Sequence, residues 1–331
     1  MPNTGDRGNM AEQDILSVII VNYNSDHHLT ACIQSLIKNA GEVPIEVIII
    51  DNASTDDSIR LVSKVFPDLK ILTNSRNMGF AAACNQCLRE ARGGNILLLN
   101  PDTIIQSGAV KDTMEFLTRT PEAGIAGCRL LNTDGRPWNS CRTFPTVWDY
   151  LFDSLFLTRL FPGSRLFGRL YLTNTRFTEP AEVDVVSGAF FMFKRAVMDD
   201  IGLLDERYFI YTEERDFCYR AKATGWKVYF YPQAEIIHIG RVSTRQHTLE
   251  MFIEQKKSMV LFHQKFDTPR KTNLIRFLIF LGIFIRFLVW NIAAAVSRTP
   301  EVMSKRYIYN GATRWLLWRD NSYKVPQGVG N

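Results

Sequence analysis

Four apolar runs, each closing on polar residues, constrain this chain more than anything else in it. Ile15 to Val21 (ILSVIIV) ends in Asn22, Tyr23 and Asn24, VIII ends at Asp51, LKILTN follows, and NILLLN breaks at Pro101. Runs this apolar, rich in β-branched residues and lacking polar alternation, read as strands covered on both faces. Between them HLTACIQSLIKNA places Leu29, Cys32, Ile33 and Leu36 at helical spacing. SIRLVSKVF follows Ser54 and Asp56, either of which can cap a helix, and FAAACNQCLREA supplies a third. Strand, helix, strand, helix predicts an α/β domain built on a parallel sheet.

In open α/β sheets ligands gather beyond the carboxyl ends of the strands. Asn22, Tyr23, Asp51, Asn77, Asn100 and Asp102 all follow such strands, so six polar residues converge on one edge. Each alone would be an ordinary cap or turn. Further on, VDVVSGAFFMFKR returns to strand character, and Gly188 within it marks a place where another backbone or a ligand comes close. Glu213, Glu214 and Asp216 then crowd together ahead of a second apolar run that ends at His238.

The 331 residues, 46% hydrophobic, can bury one large core or two modest ones. The six cysteines are too sparse for a disulfide scaffold, which agrees with a reducing compartment. Cys84 and Cys87 form a CxxC, but zinc would want a second pair at matching spacing, so they read as small core residues of a helix. Residues 1–14 are polar and lack an apolar core, so they read as a disordered tail rather than a signal peptide, and a cytoplasmic protein is expected.

Charge is distributed unevenly. Residues 256–331 hold 13 Lys or Arg against 3 Asp or Glu, a balance of +10, so the overall +5 leaves −5 on the preceding part. A basic tail on an acidic body predicts a polyanionic surface as partner. Nucleic-acid binding would want aromatics interleaved with basic residues, not FLIFLGIFI, so an anionic membrane surface is expected and nucleic acid is not. Phe277 to Val296 is 20 residues long and apolar except for Arg286 and Asn291. A central arginine costs about 2.5–3.5 kcal/mol on insertion scales, which favours an interfacial helix or a re-entrant hairpin over a full crossing. The apolar, aromatic stretch from Arg136 to Pro180 reads either as a buried helical hairpin or as an acceptor or membrane contact.

No GxGxxG follows the first strand, and neither GxxxxGK[ST] nor HExxH occurs. The dinucleotide, P-loop and zinc-protease readings therefore lack their mechanical parts. A divalent cation on Asp102 and a distant histidine could hold a diphosphate instead.

VNYN at 21–24, DNASTD at 51–56, NMGFAAACN at 77–85, NPD at 100–102, SGAFF at 187–191 and the EERD block with His238 resemble, in order and spacing, the family 2 glycosyltransferases. The match is closest to the branch containing bacterial rhamnosyltransferases of cell-envelope polysaccharides. The resemblance implies a GT-A fold over residues 15–247, with 136–180 an acceptor-side insertion and 248–331 a basic, apolar, helical membrane-associating extension. It further implies that Tyr23 and Asp51 hold the base of a nucleotide sugar, with Asn22, Asn24, Asn52, Asn77, Gly79, Phe80 and Asn100 on the nucleotide-sugar side. Asp102 matches the last acid of the family's DxD, Asn100 and Pro101 replacing the rest, and His238 is similar to the second ligand of a Mg²⁺ or Mn²⁺. Glu214 falls at the position of the general base, while Gly188, Ala189, Glu213 and Asp216 belong to the acceptor or sugar side.

On that resemblance the expected reaction is an inverting, metal-dependent transfer from a nucleotide sugar, dTDP-L-rhamnose first among UDP- and GDP-sugar alternatives. The expected acceptor is a lipid-linked glycan at the inner face of the cell membrane. Two other readings stay open: a catalytically silent nucleotide-sugar-binding or scaffold subunit of a glycan assembly complex, and a membrane-surface adaptor. From the residues alone, His238 reads first as a strand-end histidine satisfied by a carbonyl and second as a ligand. The three acids could simply start a helix, where negative charge is worth about 0.3–1 kcal/mol.

Overall fold

The computed structural model describes residues 15–138, 140–173, 175–240 and 248–318. The predicted tail at 1–14, the junction at 241–247 and the stretch 319–331 lie outside the described residues. The first half alternates as predicted: β1 (Leu16–Asn22), α1 (His28–Asn39), β2 (Ile45–Asp51), α2 (Ser58–Val65), β3 (Lys70–Thr73), α3 (Phe80–Glu90) and β4 (Asn95–Leu99). Then come β5 (Thr103–Ile105), α4 (Ala109–Arg119), β6 (Ala123–Leu131), β7 (Cys141–Arg142), α5 (Val147–Ser154) and α6 (Leu157–Leu160). β8 (Ala181–Val183), β9 (Val185–Val186), β10 (Phe190–Lys194), α7 (Arg195–Ile201), α8 (Glu213–Ala223) and β11 (Lys227–His238) complete the α/β part. Three helices follow: α9 (Thr248–Phe266), α10 (Pro269–Val296) and α11 (Pro300–Trp318).

The main sheet runs β3-β2-β1-β4-β10-β6-β11-β5, with β8 on the side of β11. β1 is parallel to β2 and β4, and β6 to β11, while β10, β5 and β8 pair antiparallel. Strand order reverses between β1 and β4, which opens the crevice where such sheets bind ligands. Fully buried residues cover both sheet faces, Ile19, Ile48, Ile96 and Phe191 on one and Leu16, Ile20, Leu97 and Phe190 on the other. That two-sided burial is why the strands read as unbroken apolar runs. Cys84 and Cys87 sit in the first of these cores.

One local expectation is corrected. α2 starts at Ser58, with Asp57 as its first flanking residue; Ser54 is engaged elsewhere, while Asp56 does bond the first helical N–H. Ser54 Oγ accepts from Asn22 Nδ2 and the Asn24 N–H, and Asp56 Oδ1 accepts from the Ser58 N–H.

The segment 136–180 is not a buried hairpin. α5 packs against α10, held by the Ser154 hydroxyl donating to Leu278 O at 2.6 Å, while Trp148, Leu160, Phe161 and Leu166 stay exposed. Nor is the apolar C-terminal stretch re-entrant. Pro269–Val296 is one helix, started by Thr268 and Pro269, and by length and composition it could cross a bilayer. Its central Arg286 faces protein, bonding Asp153 O at 2.6 Å with its guanidinium 4.4 Å from the Phe156 ring centre. The opposite side leaves Phe277, Leu288 and Ile292 uncovered.

Candidate active site

A cavity of about 470 Å³ opens at the carboxyl ends of β1, β2 and β4, and it gathers residues from most of the chain. Tyr23, Asn52, Asn77, Gly79, Phe80, Asn100 and Asp102 line it from the first half. Gly188, Ala189, Glu213, Glu214 and His238 line it from the second. So twelve of the sixteen residues selected from sequence share one cavity, and the other four, Asn22, Asn24, Asp51 and Asp216, need separate accounts.

Asn22 and Asp51 are register partners at the ends of β1 and β2, and both are buried. Asn22 Nδ2 donates to Asp51 Oδ1 at 3.1 Å and also reaches Ser54 and Ser58. Asn22 is thus the strut beneath this edge rather than a lining residue. Asn24, at φ +48°, accepts the Thr55 N–H at 2.8 Å and so clips the loop after β1 to the loop after β2.

Asn52 knits the next loop. Its Oδ1 accepts from Asn74 Nδ2 and the Met78 N–H, both at 3.0 Å, and its Nδ2 donates to Asn77 Oδ1 at 2.9 Å. Gly79 follows at φ +86°, where a Cβ would stand 2.6 Å from Phe209 O. That close approach lets the Phe80 N–H bond Phe209 O and joins the nucleotide-side loop to the loop before α8. Beside Gly188, in contrast, no protein atom lies within 4 Å of a Cβ position, so no other backbone comes close there as one expectation had it, and the residue opens onto the cavity.

Asp102 and His238 meet because β5 and β11 pair antiparallel, with His238 opposite Thr103. The His238 Nε2 lies 3.3 Å from Asp102 Oδ1, and the Ile239 N–H donates to Asp102 O at 2.9 Å. His238 Nδ1 is buried without a partner, so the satisfied strand-end histidine is not what the fold contains. An oxygen donor and an imidazole Nε2 3.3 Å apart on one cavity wall fit two ligands of a Mn²⁺- or Mg²⁺-class ion. The described residues bring no third His, Cys, Asp or Glu to a metal-binding group.

Tyr211 and Thr212 both hold left-handed backbone, at φ +66° and +75°, immediately before α8. Such conformations in non-glycine residues cost on the order of 1–3 kcal/mol each and persist where the surroundings enforce them. Here they turn the first residues of α8 into the cavity. Glu213 is buried, and that burial, then the adjacent Glu214, pushes its carboxyl well above the usual range. Its Oε2 has no hydrogen-bond partner. Glu214 beside it is half-buried and lines the cavity. Burial, more than the crowding of the acids, thus raises the proton affinity of Glu213.

Asp216 corrects the sequence reading. It is fully buried away from the cavity, 2.7 Å from Arg220 Nε and 2.6 Å from Lys265 Nζ, and it accepts from the Tyr208 hydroxyl. It anchors α8 to α9 instead of meeting an acceptor. Sequence reasoning also missed several lining residues: Trp138, Arg142, Arg215, and Met251, Gln255 and Met259 from α9. Nothing in the local pattern of α9 separates those three from an ordinary helix face. Arg215, a lone cation inside an acidic run, was the legible signal.

Comparisons place this architecture. The chain is 27% identical over 271 residues to an N-acetylglucosaminyl-diphospho-decaprenol L-rhamnosyltransferase of Mycobacterium tuberculosis, covering 75% of this chain and 84% of that protein. Its fold resembles the mannosyltransferase PcManGT from Pyrobaculum calidifontis, solved with GDP-Man and Mn²⁺, at a TM-score of 0.52, 14% identity and coverage of 92% and 88%. It also resembles GalNAc-T7, solved with UDP, GalNAc and Mn²⁺, at a TM-score of 0.56 and 16% identity, covering 94% of this chain and 57% of that one. The fold is therefore GT-A. The profile described as glycosyl transferase family 2 matches residues 17–202, more than half of the sequence, and the chain belongs to that family of glycosyltransferases.

Proposed function

We propose that this enzyme transfers a sugar from a nucleotide sugar, with inversion, to a hydroxyl of a lipid-diphosphate-linked glycan, and that dTDP-L-rhamnose is the first donor to test. The observation that carries the reading is that Glu214 and the Asp102–His238 pair line one cavity. The relative's decaprenol-linked substrate supports the acceptor class.

In this reading Tyr23 packs on the base, and Asp51, held by Asn22, accepts a base N–H. Asn77 and Gly79 shape the sugar-phosphate side. Asp102 and His238 would hold the divalent cation, Mn²⁺ or Mg²⁺, which would supply charge neutralisation for a nucleoside diphosphate. Glu214 removes the proton from the acceptor hydroxyl as its oxygen attacks the anomeric carbon from the face opposite the leaving group. Burial, and then the neighbouring Glu214, raises the Glu213 carboxyl well above the usual range, which disfavours a second negative charge beside Glu214. Gly188 and Ala189 leave room for the acceptor sugar, in space that a larger side chain would fill.

The enzyme would work at the cytoplasmic face of the membrane. The exposed apolar residues of α10, together with Trp148 and Phe161 from the 136–180 segment, would enter the interface between headgroups and acyl chains, and nearby arginines would favour anionic lipid. Assays of nucleotide-sugar turnover with Mn²⁺ or Mg²⁺, on wild type and Glu214→Gln, test the proposal. Nucleoside diphosphate release from one donor, lost in the variant and with inverted product, is expected. Donor binding without turnover, even with membrane extract as acceptor source, would favour the silent-subunit reading.

A further inference from the structure

Arg215 is only 4% exposed, yet its Nε has no hydrogen-bond partner and it forms no ion pair with any described residue. Other enclosed arginines of this chain are satisfied. Arg220 pairs with Asp216, Arg286 with Asp153, and Arg195 bonds the carbonyls of Gly93 and Ala91. Arg215 instead has the Phe262 ring 5.9 Å from its guanidinium carbon and lines the cavity. The adjacent carboxyl, Glu213, feels this charge, yet no hydrogen bond or ion pair joins the two side chains, and the Glu213 Oε2 is itself unpartnered. A second guanidinium on the same cavity, Arg142 of β7, rests 5.8 Å from the Tyr171 ring centre and likewise has no carboxylate partner among the described residues. A buried cation with no bonded anion is an unfavourable state that a bound anion would relieve.

The two arginines come from the wall away from the nucleotide side. Arg142 sits on β7, which pairs with β9, and the strand leads directly to Ser187, Gly188 and Ala189. Arg215 packs toward α9, the helix that lends Met251, Gln255 and Met259 to the cavity. That wall therefore combines two planar, five-donor cations with apolar, adaptable methionines. Guanidinium forks match phosphate oxygens bidentately, and methionine suits a flexible hydrocarbon.

We propose that Arg142 and Arg215 form a second phosphate site, separate from the metal-bound donor diphosphate, that binds the diphosphate of a prenyl-linked acceptor. The proposal rests on the lipid-linked acceptor of the preceding reading and names the residues that recognise it.

Calorimetric titration of the full chain with farnesyl diphosphate, in EDTA so that no metal contributes, tests this directly. Wild type is expected to bind, and Arg215→Gln and Arg142→Gln each to weaken binding at least tenfold, with a saturating nucleoside diphosphate leaving it undisturbed. Inorganic pyrophosphate binding as tightly as farnesyl diphosphate would support the phosphate site and give the prenyl chain no share in it. Unchanged binding in both variants, or displacement by the nucleoside diphosphate, would overturn the proposal. Arg142 is half-buried, so its variant keeps the test decisive if Arg215→Gln fails to fold, and Arg215→Lys should recover part of the affinity. A wild type that binds farnesyl diphosphate but transfers no sugar would sink the preceding reading and leave this one standing. A wild type that transfers equally well to an alkyl glycoside and to a diphosphate-linked acceptor would do the reverse.

Discussion

The imidazole of His238 and the carboxylate of Asp102 lie 3.3 Å apart although 136 positions separate them in the chain, because β11 returns antiparallel beside β5. In the proposed metal site, two side chains held by paired strands would need little rearrangement to take a cation. His238→Ala and Asp102→Asn are each expected to weaken Mn²⁺-dependent nucleotide binding by about tenfold or more, on the order of 1.4 kcal/mol. Calorimetry with and without the metal would read this. Equal affinity in wild type and both variants would remove the pair from the metal site.

Glu214→Gln keeps the size of the side chain and removes its basicity. The turnover number should fall by roughly 10²–10⁴-fold, the usual contribution of a positioned general base, while donor Kd changes little. Steady-state kinetics beside a binding isotherm separates the two quantities. Full activity in this variant would end the assignment.

Glu213 predicts the sign of a pH effect on stability. Its proton affinity is raised in the folded protein above the unfolded reference of 4.5, so the folded state holds the extra proton above that pH. Stability must then decline as pH rises through the folded-state value. Thermal melts from roughly pH 5 to 8 should show wild type losing Tm relative to Glu213→Gln. Parallel profiles would contradict the burial argument.

Asp216→Ala should act on folding rather than on substrate affinity. Removing one member of a buried pair costs roughly 3–5 kcal/mol when the remaining charge is stranded. The loss should be smaller here, because Lys265 keeps Asp205 at 2.8 Å and Arg220 keeps the carbonyls of Ile201 and Leu203. Denaturant unfolding would give the loss, and unchanged KM values at a temperature where the variant is folded would confirm that Asp216 does not meet substrate.

Replacing Phe277, Leu288 and Ile292 together with serine should release the protein from anionic vesicles without lowering Tm, since all three side chains are exposed. Sedimentation with phosphatidylglycerol vesicles reads the difference. A wild type that ignores such vesicles would remove the membrane from this account.

The strands were legible because burial on both faces leaves no polar alternation, and Asn22, Asp51 and Asp102 were legible because polar residues stop those runs. Their division of labour was not. Asn22 looks like Tyr23 in sequence, yet one braces the edge and the other lines the cavity, a difference set by which side of the strand each faces. Asp216 sits among acids that do face the cavity, and only the arrival of Lys265 from α9 reveals its structural role. The third wall was hidden for the same reason: Met251, Gln255 and Met259 owe their place to how α9 docks, which no local pattern records.

That docking bears on how the protein can be shortened. Lys265 reaches Asp216 at 2.6 Å, and the Ser258 hydroxyl donates to Ile210 O at 2.9 Å in the loop ahead of α8. A chain cut before Thr248 to shed the apolar helices would lose both ties and three lining side chains along with them. Such a fragment would have a cavity open on one side, so binding measurements on this enzyme require a chain that keeps α9.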